Sequence, residues 1–410
     1  RHHLGLRLQL PGQLVDGPIV VSSTKQTPGK NVLVGALGRG GKGLFALDVT
    51  TPASFSASNA LWELRDNGGD MGMVLGDPLI VTLNDAAKTK AAIVSNGINS
   101  TNGHAVLFVV DLMTGTVLKK IDTGNQGADN GLSEPRGRDL DGNGTVDVVY
   151  AGDLKGNLWK FDLSGTTSAT WTIAVGGQPL YRTRSGQPIS GGVPVARNPL
   201  DNKAWVFFGT GRYMSSTDVG DTTLQTMYGI VDEGTQVGEA ELQSRDIAIV
   251  TTADGKAVRA FEKSAPLPLG KRGWFVDLDA PRPGERIVVR PQVRGVVLIT
   301  SSMLPPTPTA CDAGGSGYLN AIDAFTGTAL GAVFFDLNGD GLFDDNDKIG
   351  TGNDATGVGS IDTGVGNPTK GTFIDNMITL TGSNGTLAEQ NTQAQGGMPR
   401  RVMWREILQD

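Results

Sequence analysis

Asp147-Val148-Val149-Tyr150-Ala151-Gly152 passes through a short turn into Gly156-Asn157-Leu158-Trp159-Lys160-Phe161-Asp162, with Ser164-Gly165 just beyond. Two apolar runs joined across glycine read as a β-hairpin. The closing Asp suits a turn in which its carboxylate caps main-chain N–H groups. The same unit recurs at Val32-Leu33-Val34-Gly35 with Gly43 to Asp48, and at Ala92 to Gly97 with Val106 to Asp111 and Thr114-Gly115. It returns at Ala204 to Gly209 with Met227 to Asp232, and at Val296 to Thr300 with Gly317 to Asp323 and Thr326-Gly327. One hairpin cannot bury its apolar face alone, whereas a ring of them can, so the repeats predict an all-β chain folded as a β-propeller. The spacing leaves room for further, divergent blades around Trp274-Phe275-Val276-Asp277 and Phe373-Ile374.

Composition agrees. Glycine supplies 59 of 410 residues, about twice the usual share of roughly 7%, as many tight turns require. No charge run or Pro-rich linker marks a boundary, so residues 1–410 read as a single propeller domain. Residues 1–30, 211–227, 302–316 and 345–370 read as loops, where function usually resides. The net charge of -7, from 35 basic and 42 acidic residues, attracts cations and disfavours nucleic acid as a partner. The single cysteine, Cys311, excludes an intrachain disulfide and a thiolate zinc cluster and leaves three readings: buried and inert, which is preferred, paired outside this stretch of chain, or exposed and reactive. No apolar run is long enough to span a membrane. The start at Arg1-His2-His3 points to a fragment of a longer precursor.

Two acidic loops stand out. Asp139-Leu140-Asp141-Gly142-Asn143-Gly144-Thr145-Val146-Asp147 has the spacing of a calcium loop. Side-chain oxygens sit at the first, third and fifth positions, a glycine turns the chain at the sixth, and the seventh offers its carbonyl. The candidate ligands are therefore Asp139, Asp141, Asn143, Thr145 through its carbonyl, and Asp147 at the ninth position. Val146 anchors the loop to the core. Carboxylates packed this tightly repel one another without a cation. The oxygen-rich, adaptable sphere suits Ca2+ better than Mg2+. Pro135 and Gly137 prevent a good helix upstream and a strand lies downstream, so the loop lacks a calmodulin-type helix pair. A second run repeats the spacing at Asp336, Asn338, Asp340, Leu342 and Asp344, with Gly341 at the sixth position and Asp347 at the twelfth.

Signals for an enzyme are weak. His2 and His3 lie at the chain end, and His104 sits in a surface turn. No nucleophile elbow, paired-histidine zinc motif or phosphate loop is present. The glycine cluster from Gly38 to Gly43 leads into a strand instead of a helix, which makes it a turn. Trp62, Trp159, Trp205, Trp274 and Trp404 fit the wedge between blades.

Together, Asp139 to Phe161, Gly209-Thr210-Gly211-Arg212-Tyr213 with Gln225 and Tyr228-Gly229-Ile230, Gly315 to Asp323 and Val402-Met403-Trp404-Arg405-Glu406 carry a resemblance. The chain resembles the C-terminal propeller domain of the PilY/PilC family of type IV pilus biogenesis and tip-associated adhesin proteins. The resemblance implies a modified seven-bladed, quinoprotein-like propeller whose calcium occupancy governs pilus extension and retraction, with roles in adhesion and twitching motility. It implies pilins or minor pilins and a host or surface ligand as partners, and a place at the cell surface, pilus tip or outer membrane after export through the periplasm. It assigns the calcium ligands to Asp139, Asp141, Asn143, the Thr145 carbonyl and Asp147. Asn143 carries one charge fewer than an all-aspartate loop. The integrin-binding Arg-Gly-Asp of some members has no match here, the nearest text being Arg136-Gly137-Arg138-Asp139. The alternatives are an integrin-like or lectin-like binding module and a quinoprotein-type oxidoreductase. The second is disfavoured because the adjacent cysteine pair of such enzymes needs more than one cysteine.

Overall fold

The apolar runs form strands, and most strands pair antiparallel with their neighbours in sequence. The computed structural model describes residues 15–124, 127–306 and 314–393. They divide into two compact units. The first holds the described residues up to Val195 with Phe208–Tyr213 and Asp232–Glu241; the second holds Ala196–Phe207, Met214–Val231 and the described residues from Leu242 onward.

In the first unit, β1 (Ile19–Val21), β2 (Val32–Ala36), β3 (Leu44–Asp48) and β4 (Ala60–Leu64) line up in chain order. So do β5 (Leu79–Thr82), β6 (Lys90–Ser95), β7 (Val106–Asp111) and β8 (Val117–Asp122). The third sheet joins β9 (Arg136–Arg138), β10 (Val148–Gly152) and β11 (Asn157–Asp162), and β11 also carries β12 (Thr172–Ile173) and β13 (Tyr181–Arg182). Alternation along β7 assigns its layers. Val106, Phe108 and Val110 pack with Val32, Val34 and Trp62, while Leu107 and Val109 pack with Val149, Ala151 and Trp159. The middle sheet is thus buried on both faces. For that reason β7 reads as an unbroken apolar run without polar alternation. Full burial of each such side chain stabilises the fold by about 1.5–3 kcal/mol.

The second unit contains most of a sheet in the order β14 (Val195–Arg197), β15 (Ala204–Gly209), β16 (Thr226–Asp232), β20 (Gly273–Asp277), β17 (Gln243–Arg245), the last pair parallel. A six-stranded sheet runs β18 (Ile247–Ala253), β19 (Lys256–Phe261), β26 (Ser360–Ile361), β23 (Ser316–Asp323), β22 (Val297–Leu304), β21 (Gln292–Arg294). The hairpin β24 (Lys348–Ile349) and β25 (Thr356–Gly357) and the sheet β27 (Thr372–Ile374), β28 (Met377–Thr381), β29 (Leu387–Asn391) complete it. Strands therefore occupy the gaps at Trp274 and Phe373. The stretch read as a loop from 302 begins inside β22, whose register against β23 continues to Leu304. Likewise β1 lies within the segment read as an N-terminal loop.

The turn aspartates behave as their spacing predicts. Asp111 Oδ1 accepts from the Met113 and Thr114 amides, Asp162 Oδ1 from Ser164, Asp232 Oδ1 from Gly234 and Asp323 Oδ1 from Phe325 and Thr326. Asp48 does the same for Thr50. Trp62, Trp159, Trp205 and Trp274 are buried in the cores, whereas Trp404, Cys311, His2 and His3 lie outside the described residues. Within the second unit the fully buried Arg259 guanidinium pairs with Glu285 at 2.6 and 2.9 Å and donates to Asn320 Oδ1 at 2.8 Å.

Candidate metal centre

The first acidic loop is strung between β9 and β10, so strands fix both its ends. The Asp147 amide donates to the Arg138 carbonyl at 2.9 Å, and the Asp147 carbonyl accepts from Leu163 at 2.8 Å. Val146, packed among Trp159, Phe161 and Leu107, donates its amide to the Thr82 carbonyl at 2.9 Å. The loop therefore rests on three strand ends.

Inside it the chain wraps around the Asp139 carboxylate, which accepts from the Gly142 amide at 2.7 Å and from Gly144 at 2.8 Å. The Gly144 hydrogen bond above all, with that of Gly142, outweighs desolvation and holds the Asp139 carboxyl below its ordinary value. Asp141 Oδ1 accepts from the Asn143 amide at 3.0 Å, and Asn143 Oδ1 from the Thr145 amide at 2.8 Å and the Thr145 hydroxyl. Gly144 has φ of 84°, a conformation that glycine adopts without strain. Asp147, buried at 6% exposure, turns its carboxylate back onto the Leu140 amide at 2.6 Å. One carboxylate oxygen from each of Asp139, Asp141 and Asp147 lies within 4.8 Å of the others. Sequence reasoning singled out this group, and the structure brings it together. Its donors are all oxygen, which fits a hard divalent cation and not a soft metal.

The second loop repeats the wrap. Asp336 accepts from Gly339 at 2.7 Å and Gly341 at 3.0 Å, Asn338 Oδ1 from Asp340 at 3.0 Å, and Asp340 Oδ1 from Leu342 at 2.8 Å. Its closure differs. The amide of Leu337, equivalent to Leu140, donates to Asp347 Oδ1 at 2.6 Å, and Asp347 is fully buried. Asp344 instead caps the short 3-10 turn Asp345–Asp347, accepting from the Asn346 amide at 2.8 Å while its own amide donates to Asp347 Oδ2 at 3.1 Å. Asp344 and Asp347, three residues apart, thus form a reciprocal capping box around this turn.

The remaining singled-out residues have structural roles. His104 Nδ1 meets Asp122 Oδ2 at 2.9 Å in a half-exposed turn. Residues Gly38–Gly40 make a 3-10 turn ahead of β3.

A family profile described as the PilY1 beta-propeller domain matches residues 11–248. The chain belongs to the PilY1 family. It is 40% identical over 364 residues to a type IV pilus biogenesis factor PilY1 homolog of Xylella fastidiosa, covering 81% of this chain and 24% of that protein. To the type IV pilus biogenesis factor PilY1 of Pseudomonas aeruginosa it is 32% identical over 378 residues, covering 80% of this chain and 32% of that protein. The chain thus spans about a quarter to a third of the length of these curated relatives. The crystal structure of the P. aeruginosa PilY1 C-terminal domain superimposes with a TM-score of 0.78 at 28% identity, over 93% of this chain and 85% of that one. The all-β, multi-sheet, propeller-like architecture is therefore shared with PilY1. The first acidic loop lies within the PilY1 profile match and the second lies beyond it. The closing motif Val402 to Glu406 falls outside the described residues.

Proposed function

We propose that this chain is the calcium-binding propeller of a type IV pilus biogenesis factor, and that occupancy of the 139–147 loop regulates pilus extension, retraction and surface adhesion. The supporting observation is that one carboxylate oxygen from each of Asp139, Asp141 and Asp147 lies within 4.8 Å of the others, within the segment matched to the PilY1 family. Asn143 Oδ1 and the Thr145 carbonyl complete an oxygen set for Ca2+. The role is non-enzymatic. Pilins or minor pilins, and a surface or host ligand, are the partners in this reading. The site of action is the cell surface or pilus tip, reached by export through the periplasm. Among the described residues no helix is long and apolar enough to cross a membrane.

In the same reading residues 1–410 form one propeller domain of modified seven-bladed, quinoprotein-like type. A single cooperative heat-capacity peak supports that view; two separable transitions argue against it. The second loop is a further calcium site in this proposal, drawing on Asp336, Asn338, Asp340, the Leu342 carbonyl and an acidic closure for which both Asp344 and Asp347 are candidates.

The decisive experiment titrates calcium into chelated protein and into Asp147→Ala. The Asp147→Ala variant is then placed in a bacterium whose own pilus factor has been replaced by the full-length protein. Calcium binding lost in the variant, together with altered surface piliation and twitching, is the expected outcome. Wild-type protein that binds no calcium at millimolar concentration removes the switch. Normal piliation in a variant that has lost binding removes the regulatory role.

A further inference from the structure

Asparagine followed by glycine is prone to intramolecular deamidation, because a residue without a side chain leaves its amide nitrogen free to attack the asparagine side chain. The sequence contains seven such pairs. In Asn338-Gly339 of the second loop the Gly339 amide donates to Asp336 Oδ1 at 2.7 Å and Asn338 Oδ1 accepts one amide, from Asp340, at 3.0 Å, and in Asn67-Gly68 the Gly68 amide donates to Asp66 Oδ1 at 3.2 Å. The structure separates the other five by environment. Asn96 and Asn130 are fully buried, and Gly97 and Gly131 lie so close to neighbouring main chain that a Cβ would come within 2.0 Å of it. Asn102 Nδ2 donates to the Gly68 carbonyl and Asp70 Oδ1, Asn143 Nδ2 to Asp141 Oδ2 at 2.8 Å and Asn384 Nδ2 to the Gly364 carbonyl at 2.7 Å. Asn143 is exposed, and nothing lies within 4 Å of the Cβ position on Gly144.

The groups around Asn143 match what the reaction needs. The Gly144 N–H, the nucleophile, donates to Asp139 Oδ2 at 2.8 Å. Asn143 Oδ1, where negative charge develops, accepts from the Thr145 amide at 2.8 Å and from the Thr145 hydroxyl. A carboxylate base and two oxyanion donors are thus already in place. Asn384 supplies an internal control. It is exposed, and its Oδ1 accepts from the Thr386 amide at 2.9 Å and the Thr386 hydroxyl at 2.7 Å. The Gly385 amide, however, donates to the Gly382 carbonyl, which cannot take a proton.

We infer that the metal-free 139–147 loop catalyses deamidation of its own Asn143. The Gly144 nitrogen bonds to Asn143 Cγ and passes its proton through Asp139 to Nδ2. The Cγ–Nδ2 bond breaks and ammonia leaves, giving a succinimide and a regenerated Asp139 carboxylate. Water then opens the ring. Cleavage at Cγ leaves an ordinary aspartate at position 143 and hence an all-aspartate loop. Cleavage at the main-chain carbonyl leaves an isoaspartyl link that lengthens the loop backbone. On the calcium reading proposed above, the first product binds the cation more tightly and the second disrupts the wrap, so the age of the molecule alters its calcium response.

The test incubates the whole chain with chelator at mildly alkaline pH and tracks ammonia release and peptide masses over time. Asn143 converting at least about tenfold faster than Asn384 in the same molecule, with that lead abolished in Asp139→Asn, is the expected result. Equal rates at Asn143 and Asn384 in the unsubstituted protein overturn the inference without reliance on any variant. An undiminished lead in Asp139→Asn overturns the role of the carboxylate. The affinity consequence is read separately, by titrating calcium into Asn143→Asp. Binding about tenfold tighter than wild type is expected, and unchanged affinity removes the link to calcium. If neither protein binds calcium the cation reading fails, while the mass measurement still decides the chemistry.

Discussion

Loops 139–147 and 336–347 begin alike and end differently. In each, the first aspartate accepts amides three and five residues ahead, the side chains at the third and fifth positions each accept an amide two residues on, and a glycine with φ near 80° turns the chain. These contacts are local, so spacing alone dictates them. The element downstream of each loop decides the closure. The first runs straight into β10, whose pairing begins at Val148, and Asp147 must close it. The second meets a 3-10 turn that carries Asp347 back onto the Leu337 amide. A shared acidic motif therefore fixes the wrap, while the neighbouring element selects the closing carboxylate.

The largest effect expected to sharpen this contrast is on cation affinity. Asp147→Ala should weaken calcium binding at the first loop by on the order of a hundredfold, as measured by titration calorimetry. Equal loss from Asp344→Ala would break the contrast by making the two loops interchangeable. The second effect is on stability without metal. Removing Asp347 orphans the buried Leu337 amide, at a cost of about 1–3 kcal/mol. Asp344→Ala removes a surface cap and should cost about 1 kcal/mol. Chemical denaturation in chelator distinguishes them. The reverse ranking would show that Asp344, and not Asp347, holds this loop closed.

The same distinction explains what was legible in the sequence. The hairpins were readable because each rests on an apolar run and an Asp that caps its own turn, as at Asp111 and Asp323. The first acidic loop was readable because its three neighbouring carboxylates and its closure lie within nine consecutive residues. Asp347 was visible at the twelfth position, but its role depends on a turn that spacing does not reveal. Long-range features were not readable. The two-residue strand β26 enters the sheet between β19 and β23, too short to leave a periodic signal. Arg259 gives no hint in Ala257-Val258-Arg259-Ala260-Phe261 that its charge will be fully buried, because Glu285 lies in a distant Pro- and Gly-containing segment.

Chelation should separate the loops by mobility. Loop 139–147 is exposed from Asp139 to Gly144 yet held by strands at both ends. Loss of the cation should therefore raise amide exchange at Leu140, Gly142 and Gly144 by roughly tenfold while sparing Val148 to Gly152 in β10. Exchange that rises equally through β10 would mean that the cation supports the sheet and not only the loop.

The smallest expected effect concerns charge. The Lys256 ammonium donates to the Leu337 carbonyl at 3.0 Å, placing a positive group against the main chain of the second loop. At a partly exposed site such a charge opposes a bound cation by about 0.5–1 kcal/mol after screening. Lys256→Gln, which keeps a donor and removes the charge, should therefore tighten calcium binding at the second loop severalfold and leave the first loop unchanged. Tightening that disappears at high salt would confirm an electrostatic origin. An unchanged affinity would mean that binding at the second loop is set by its ligands alone.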